Sequence, residues 1–212
     1  MRSIRRSRAT VHPQPKCNDP LGYDHNNIVG NDVPSTSLTV WKKSLVYGCD
    51  GFTVFGTEGG LVFRVDNYKG HSGEVVLMDH KGIPINTVGR THKLSLRDRW
   101  FIYEGAASEK PMFSVKKPGQ RLNSNSSNVL AHVTFIESSQ DRRPAYTIEG
   151  TYAKRSCKVL DQSSNVVAEI KNKDTGNESA SFGTEVFQLI VRPGFDSTLA
   201  MTMVLLLDQM FP

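Results

Sequence analysis

The stretch "DSTLAMTMVLLLDQMF", residues 196–211, decides what kind of protein this chain is. Asp196 and Asp208 bound eleven residues, 197–207, that carry no charge, and from Leu199 to Leu207 only Thr202 is polar. Met, Ala and Leu are good helix formers. Asp196, Ser197 and Thr198 offer N-cap side chains just after the break at Pro193-Gly194. The run therefore predicts a helix, about 22 Å long over 196–210 at 1.5 Å per residue. Spanning a bilayer takes about 20 mostly apolar residues. A carboxylate in hydrocarbon costs about 2.5–3.5 kcal/mol even on lenient scales. With an Asp at each end, the run is no membrane anchor. A helix apolar all round must be buried all round, so Leu199, Met203, Leu206 and Leu207 are expected to form the centre of a core.

What surrounds that helix is read from the rest of the chain. From Leu38 on, short apolar segments alternate with turn residues. In "FTVFGTEGGLVFRV", residues 52–65, Leu61, Phe63 and Val65 recur with a period of two around a Gly-rich turn. "EVVLMDHKGIPINTV" (74–88) and "SCKVLDQSSNVVAEIK" (156–171) repeat the plan, and "LTVW" (38–41), "RWFIYEG" (99–105), "PMFSVKK" (111–117), "HVTFIE" (132–137), "AYTIEG" (145–150) and "EVFQLIVR" (185–192) complete it. This makes twelve predicted strands and no second helical period. An eight-stranded barrel is just wide enough to be filled by side chains, and diameter grows with strand number. Twelve strands leave room for a helix about 10 Å across. The expected fold is mainly β: a closed barrel of about twelve strands enclosing the hydrophobic C-terminal helix, over residues 36–212.

Composition limits the functional classes. The 212 residues carry 26 Lys and Arg against 21 Asp and Glu, a formal charge of +5. Arg2, Arg5, Arg6, Arg8 and Lys16 supply the excess, because 26 − 5 = 21 basic residues remain to balance the acids. Residues 1–35 read as a disordered basic arm. The first 18 residues hold those five basic residues and no acid, so the rest of the chain is neutral, and overall basicity does not argue for a nucleic-acid site in the folded part. Cys17, Cys49 and Cys157 are too few and too far apart for a disulfide framework. The six His show no metal-ligand spacing, and neither a metal nor a cofactor is implied. There is no P-loop and no nucleophile elbow. Cys157 reads as a buried apolar residue, and Asp98 between Arg97 and Arg99 as an ion pair.

Binding of phosphates on anionic phospholipid headgroups needs several cations converging on one patch. The candidates are the doublets Lys42-Lys43, Lys116-Lys117, Arg142-Arg143 and Lys154-Arg155, each of which also reads as a solvated strand end. Lys154 and Arg155, with Lys42 and Lys43 behind them, are the expected headgroup contacts.

Several separated motifs, "SLTVWKKSLVYGCDGFTVF", "LSLRDRW", "IEGTYAKRSCKVLD", "VVAEI" and "PGFDSTLAMTMVLLLDQM", resemble the plant LURP-one-related proteins. The resemblance covers 36–211 in order; the arm is outside it, and Arg97 stands where members carry His before "DRW". It implies a tubby-like barrel around a C-terminal helix, a fold related to phospholipid scramblases. It also implies a non-enzymatic, membrane-tethered regulator, linked through the founding member to plant defence. The phosphoinositide-binding residues of tubby have no matching motif here, so binding of phosphoinositide or anionic lipid is an expectation of the basic doublets and the fold relation. The expected location is the cytoplasm, at a membrane periphery or in the nucleus. The alternative is a nuclear or cytosolic scaffold for protein partners without lipid binding.

Overall fold

The computed structural model describes residues 34–67, 73–90, 99–106, 110–119, 128–136, 143–173 and 183–212. The basic arm up to residue 33, Asp98 and Arg142 lie outside them. Twelve strands follow in chain order: β1 (Thr36–Trp41), β2 (Asp50–Phe55), β3 (Leu61–Asn67), β4 (Glu74–Asp79), β5 (Pro84–Arg90), β6 (Arg99–Glu104), β7 (Phe113–Lys116), β8 (Val129–Phe135), β9 (Tyr146–Thr151), β10 (Ser156–Leu160), β11 (Val166–Asn172) and β12 (Val186–Val191). The helix α1 (Ser197–Met210) comes last. Each strand pairs antiparallel with its chain neighbours, and β1 pairs with β12 to close the barrel. The register runs from Thr36↔Val191 to Trp41↔Val186.

Side chains alternate as the period of two requires. In β12, Phe187, Leu189 and Val191 point in and are buried. In β10, Cys157 and Val159 do the same, while Lys158 between them faces out. Carboxylates close two of the hairpins. Asp79 accepts from the backbone N–H of Lys81 and Ile83 at 2.8 Å each, and Asp161 does so from Ser163 and Asn165 at 2.8 and 2.9 Å. Both are Asx turns, in which a short side chain replaces a backbone partner.

The helix lies inside. Met201, Met203, Val204, Leu205, Leu206 and Leu207 are all at most 1% exposed. Leu199 is half-buried in the first turn and packs on the same core cluster. Asp196 caps the start, accepting from Thr198 N–H at 2.9 Å and Leu199 N–H at 3.3 Å. The one polar residue of the run is satisfied: Thr202 donates to the Thr198 carbonyl at 2.8 Å and accepts from the Asn86 amide of β5 at 2.9 Å. The outer wall carries Glu169 paired with Lys171 at 2.6 Å and with Arg192 at 3.3 Å. An apolar, filled interior with a charged exterior is the inverse of a transmembrane barrel. Among the described residues, no helix is long and apolar enough to cross a membrane.

Since neighbouring strands alternate in direction, the connections fall on two mouths. One mouth surrounds the N-terminus of α1 and takes the connections after β2, β4, β6, β8 and β10. The other surrounds the C-terminus of α1 and takes those after β1, β3, β5, β7, β9 and β11.

Candidate functional site

The mouth at the C-terminus of α1 holds three of the four basic doublets. A helix end leaves carbonyls without intrahelical partners and carries a partial negative charge. The last turn of α1 contains no basic residue of its own. The barrel supplies the cations instead. Lys117, just after β7, donates to the Met210 carbonyl at 2.9 Å and lies 4.4 Å from the Phe211 ring centre. Lys42, just after β1, pairs with Asp208 at 2.8 Å. The Tyr152 hydroxyl donates to the same Asp208 oxygen at 3.2 Å. Burial raises the Tyr152 phenol far above its ordinary range, the Asp208 carboxylate adds to this, and Arg155 opposes it. Tyr152 is therefore a fixed donor.

Tyr152 belongs to a single 3-10 turn, Tyr152–Lys154, between β9 and β10, which ends at Arg155 in the left-handed region with φ 48° and ψ 42°. A non-glycine residue there costs on the order of 1 kcal/mol. The turn is tight because Gly150, with φ 120°, lets β9 approach β10: a Cβ on Gly150 would stand 2.1 Å from the Ser156 carbonyl oxygen. The result is that Lys154 and Arg155 diverge. Lys154 is exposed, whereas Arg155 is 5% exposed and points inward. Its guanidinium lies 4.3 Å from the Tyr152 ring centre and 4.5 Å from that of Phe187. Its Nε donates to the Thr184 carbonyl at 2.9 Å, and its Nη1 has no hydrogen-bond partner among the described residues. A desolvated cation between two rings gains about 2 kcal/mol or more. Arg155 thus ties the β9–β10 turn to the approach to β12.

The basic doublets at 42–43, 116–117 and 154–155 therefore share one mouth. Within each, one member faces the helix end or the interior (Lys42, Lys117, Arg155), and one faces outward (Lys43, Lys116, Lys154). Lys43 also lies over the Trp41 ring at 5.3 Å. Arg143, of the fourth doublet, is at the other mouth, between β8 and β9. The sequence reading missed Asp208 and Tyr152 as the centre of this network. Asp208 was visible only as the charge that ends the apolar run. Cys157 is buried, and burial pushes its thiol up to about 11 against the opposing Arg155 and a backbone hydrogen bond from Thr151, so it is protonated at neutral pH. Among the described residues, no group of His, Cys, Asp and Glu could hold a metal ion.

The LURP-one-related family model matches residues 36–208, from the first strand to Asp208. The chain belongs to the LURP-one-related family. Protein LURP-one-related 8 of Arabidopsis thaliana is 44% identical over 177 residues, covering 82% of this chain and 86% of that protein. Protein LURP-one-related 17 of the same plant is 41% identical over 186 residues, with 83% of each chain covered. A crystal structure of another Arabidopsis thaliana protein shares the fold with a TM-score of 0.59 at 22% identity, over 82% of this chain and 90% of that one. The family match takes in Lys42, Tyr152, Arg155 and Asp208, so the ion pair and hydrogen bond at Asp208 lie within the LURP-one-related match, while Met210 and Phe211, which Lys117 contacts, lie just beyond it.

Proposed function

We propose that this LURP-one-related protein is a non-enzymatic, peripheral membrane-binding regulator. Lys43, Lys116 and Lys154 take the phosphates of anionic phospholipid headgroups, phosphoinositides included. One observation supports the reading: three doublets far apart in sequence fall on the rim of one mouth, each with an outward lysine and a partner tied to the helix end or the interior. Lys42 and Arg155 hold that rim in place and do not contact the lipid. Several lysines near an anionic surface attract it by about 1 kcal/mol each, which suits reversible attachment. The scramblase-like and tubby-like relation that the sequence resemblance implies points the same way, and the implied defence role belongs to the same proposal, as regulation from a membrane surface.

The test is vesicle co-sedimentation of the full chain with phosphatidylcholine alone or with added phosphatidylinositol bisphosphate, at low and physiological salt. The wild type is expected to sediment with the phosphoinositide vesicles and to persist at physiological salt. The variant Lys43→Glu/Lys116→Glu/Lys154→Glu is expected to stay in solution. A variant with Arg2, Arg5, Arg6 and Arg8 changed to Gln is expected to bind as the wild type does. If only the arginine variant loses binding, the arm acts through screened, non-specific charge and the reading is overturned. If nothing binds, a scaffold for protein partners becomes the better reading.

A further inference from the structure

The β1–β2 connection, residues 42–49, lies at this same mouth and has an unusual surface. Leu45 is 54% exposed and Tyr47 is fully exposed, next in sequence to Lys42 and Lys43. A solvated loop with two large apolar side chains ordinarily folds them back onto the barrel. Here the backbone is fastened so that they stay out. The Lys43 carbonyl accepts from the Thr53 hydroxyl at 2.7 Å. The buried Ser44 hydroxyl donates to Asp66, which Arg64 also holds, and accepts from the Val46 N–H at 2.9 Å. A turn closes from the Cys49 N–H to the Val46 carbonyl at 3.2 Å, with Gly48 at φ 78°, a conformation that suits glycine. Tyr47 therefore stands at the tip of a built turn.

Resting on the membrane reading above, we propose that residues 42–49 are a pre-formed membrane wedge: Leu45 and Tyr47 enter the interfacial layer of an anionic bilayer while the neighbouring Lys43 engages its headgroups. The occupant is a bilayer because of what stands beside the apolar pair. Lys42 and Lys43 precede it on its own connection, and Lys154 is exposed on the same mouth, a charge complement to anionic lipid. Tyr is the side chain whose apolar ring and polar tip match the headgroup layer. Two side chains are also far short of the roughly 800 Å² per partner that a stable protein interface buries, but sufficient to deepen an attachment already held by charge. A pre-ordered loop loses little freedom on insertion.

The test uses the full chain and vesicles of phosphatidylcholine with added phosphatidylserine. Wild-type protein is expected to remain partly bound when high salt screens the lysines. Leu45→Ser/Tyr47→Ser is expected to melt like the wild type, to bind at low salt with about tenfold weaker partitioning, and to be released at high salt. In Tyr47→Trp, the fluorescence in excess of the wild-type signal should shift to shorter wavelength on vesicles and be quenched by brominated lipid. If the double serine variant partitions as the wild type does at both salts and the introduced indole is not quenched, the wedge is overturned while the headgroup reading stands. If the wild type does not bind, both fall. A shift of the excess fluorescence that follows protein concentration without vesicles would identify a second copy as the occupant and overturn the wedge.

Discussion

The two mouths of the barrel are made from the same unit, two strands and a connection, yet they differ in the work their carboxylates do. At the N-terminal mouth of α1, Asp79, Asp161 and Asp196 each turn a carboxylate onto backbone N–H groups, two closing hairpins and one capping the helix. At the C-terminal mouth, Asp208 faces a lysine and a tyrosine, and lysines reach the helix end from β1 and β7. The helix imposes this polarity. Its N-terminus favours anions and its C-terminus cations, which matches Asp196 on the first N–H groups and Lys117 on the Met210 carbonyl. Exposed apolar side chains occur at both mouths. Ile83 sits in the Asp79 turn at one, and Leu45 and Tyr47 sit beside Lys42 and Lys43 at the other. At the second mouth, two large exposed side chains share one hydrogen-bonded connection with two lysines.

The most severe way to break this contrast is to remove the helix that connects the two mouths. Leu205→Asp buries a charge without a partner, and the cost exceeds the whole stability of an ordinary domain, about 5–15 kcal/mol. Circular dichroism and thermal melting should show no cooperative transition. A soluble variant melting as the wild type does would show that the helix is not the core. Next come the two Asp residues at the helix ends. Asp208→Ala strands the Tyr152 hydroxyl and the half-exposed Lys42 near the interior and should cost about 2–3 kcal/mol in urea unfolding. Asp196→Ala removes only a cap and should cost about 1 kcal/mol. The reverse order would mean that the network at the C-terminal mouth does not outweigh the cap. The functional half of the contrast is read with paired reversals. Lys154→Glu should weaken co-sedimentation with anionic vesicles several-fold, while Lys81→Glu and Ile83→Ser, at the other mouth, should leave it unchanged.

The smallest effect is that of acid. Asp79 and Asp161 are held below the ordinary carboxylate range by backbone N–H groups, chiefly those of Ile83 and Asn165. Glu169 is held below it mainly by its hydrogen bond from Lys171, against the opposing effect of burial. A lowered carboxylate pKa adds stability that is fully present above the unfolded value and lost as pH falls through the folded one. The melting temperature should therefore be flat near neutral pH and decline below about pH 4. Asp79→Asn should make that decline shallower. An unchanged acid limb in that variant would remove the turn carboxylates from the account.

Most of the frame could be read in the sequence because two periods stand out in it. The strands repeat every second residue, and the last helix is apolar on every side, which only an enclosing sheet can satisfy. All twelve predicted strands and the helix are present, and the family match bears out the resemblance. The site was less legible, for two reasons that the parity of a meander explains. Lys42-Lys43, Lys116-Lys117 and Lys154-Arg155 stand at or just past the ends of the first, seventh and ninth strands, so they share a mouth, whereas Arg143 follows the eighth and does not. Counting strands would have sorted them. Arg155 likewise shares its parity with Cys157 and Val159, which face inward. What no parity shows is the left-handed turn that turns Arg155 between two rings, or the hydrogen bonds that keep Leu45 and Tyr47 out, because those depend on partners distant in the chain.

The position of α1 in the chain also has a consequence in time. The helix follows all twelve strands, and the strand that seals the barrel, β12, must find β1 some 150 residues earlier, with Gln188 meeting Ser37 across a separation of 151. Until the helix is in place, a sheet lined with Phe, Val and Leu has nothing to wrap around. Closure is then governed by contacts of high sequence separation, the kind that slows folding to milliseconds or longer. During that interval the half-formed sleeve exposes the surface most prone to aggregate. A nascent chain of this protein thus depends, for its protection, on a fourteen-residue helix that emerges after all twelve strands.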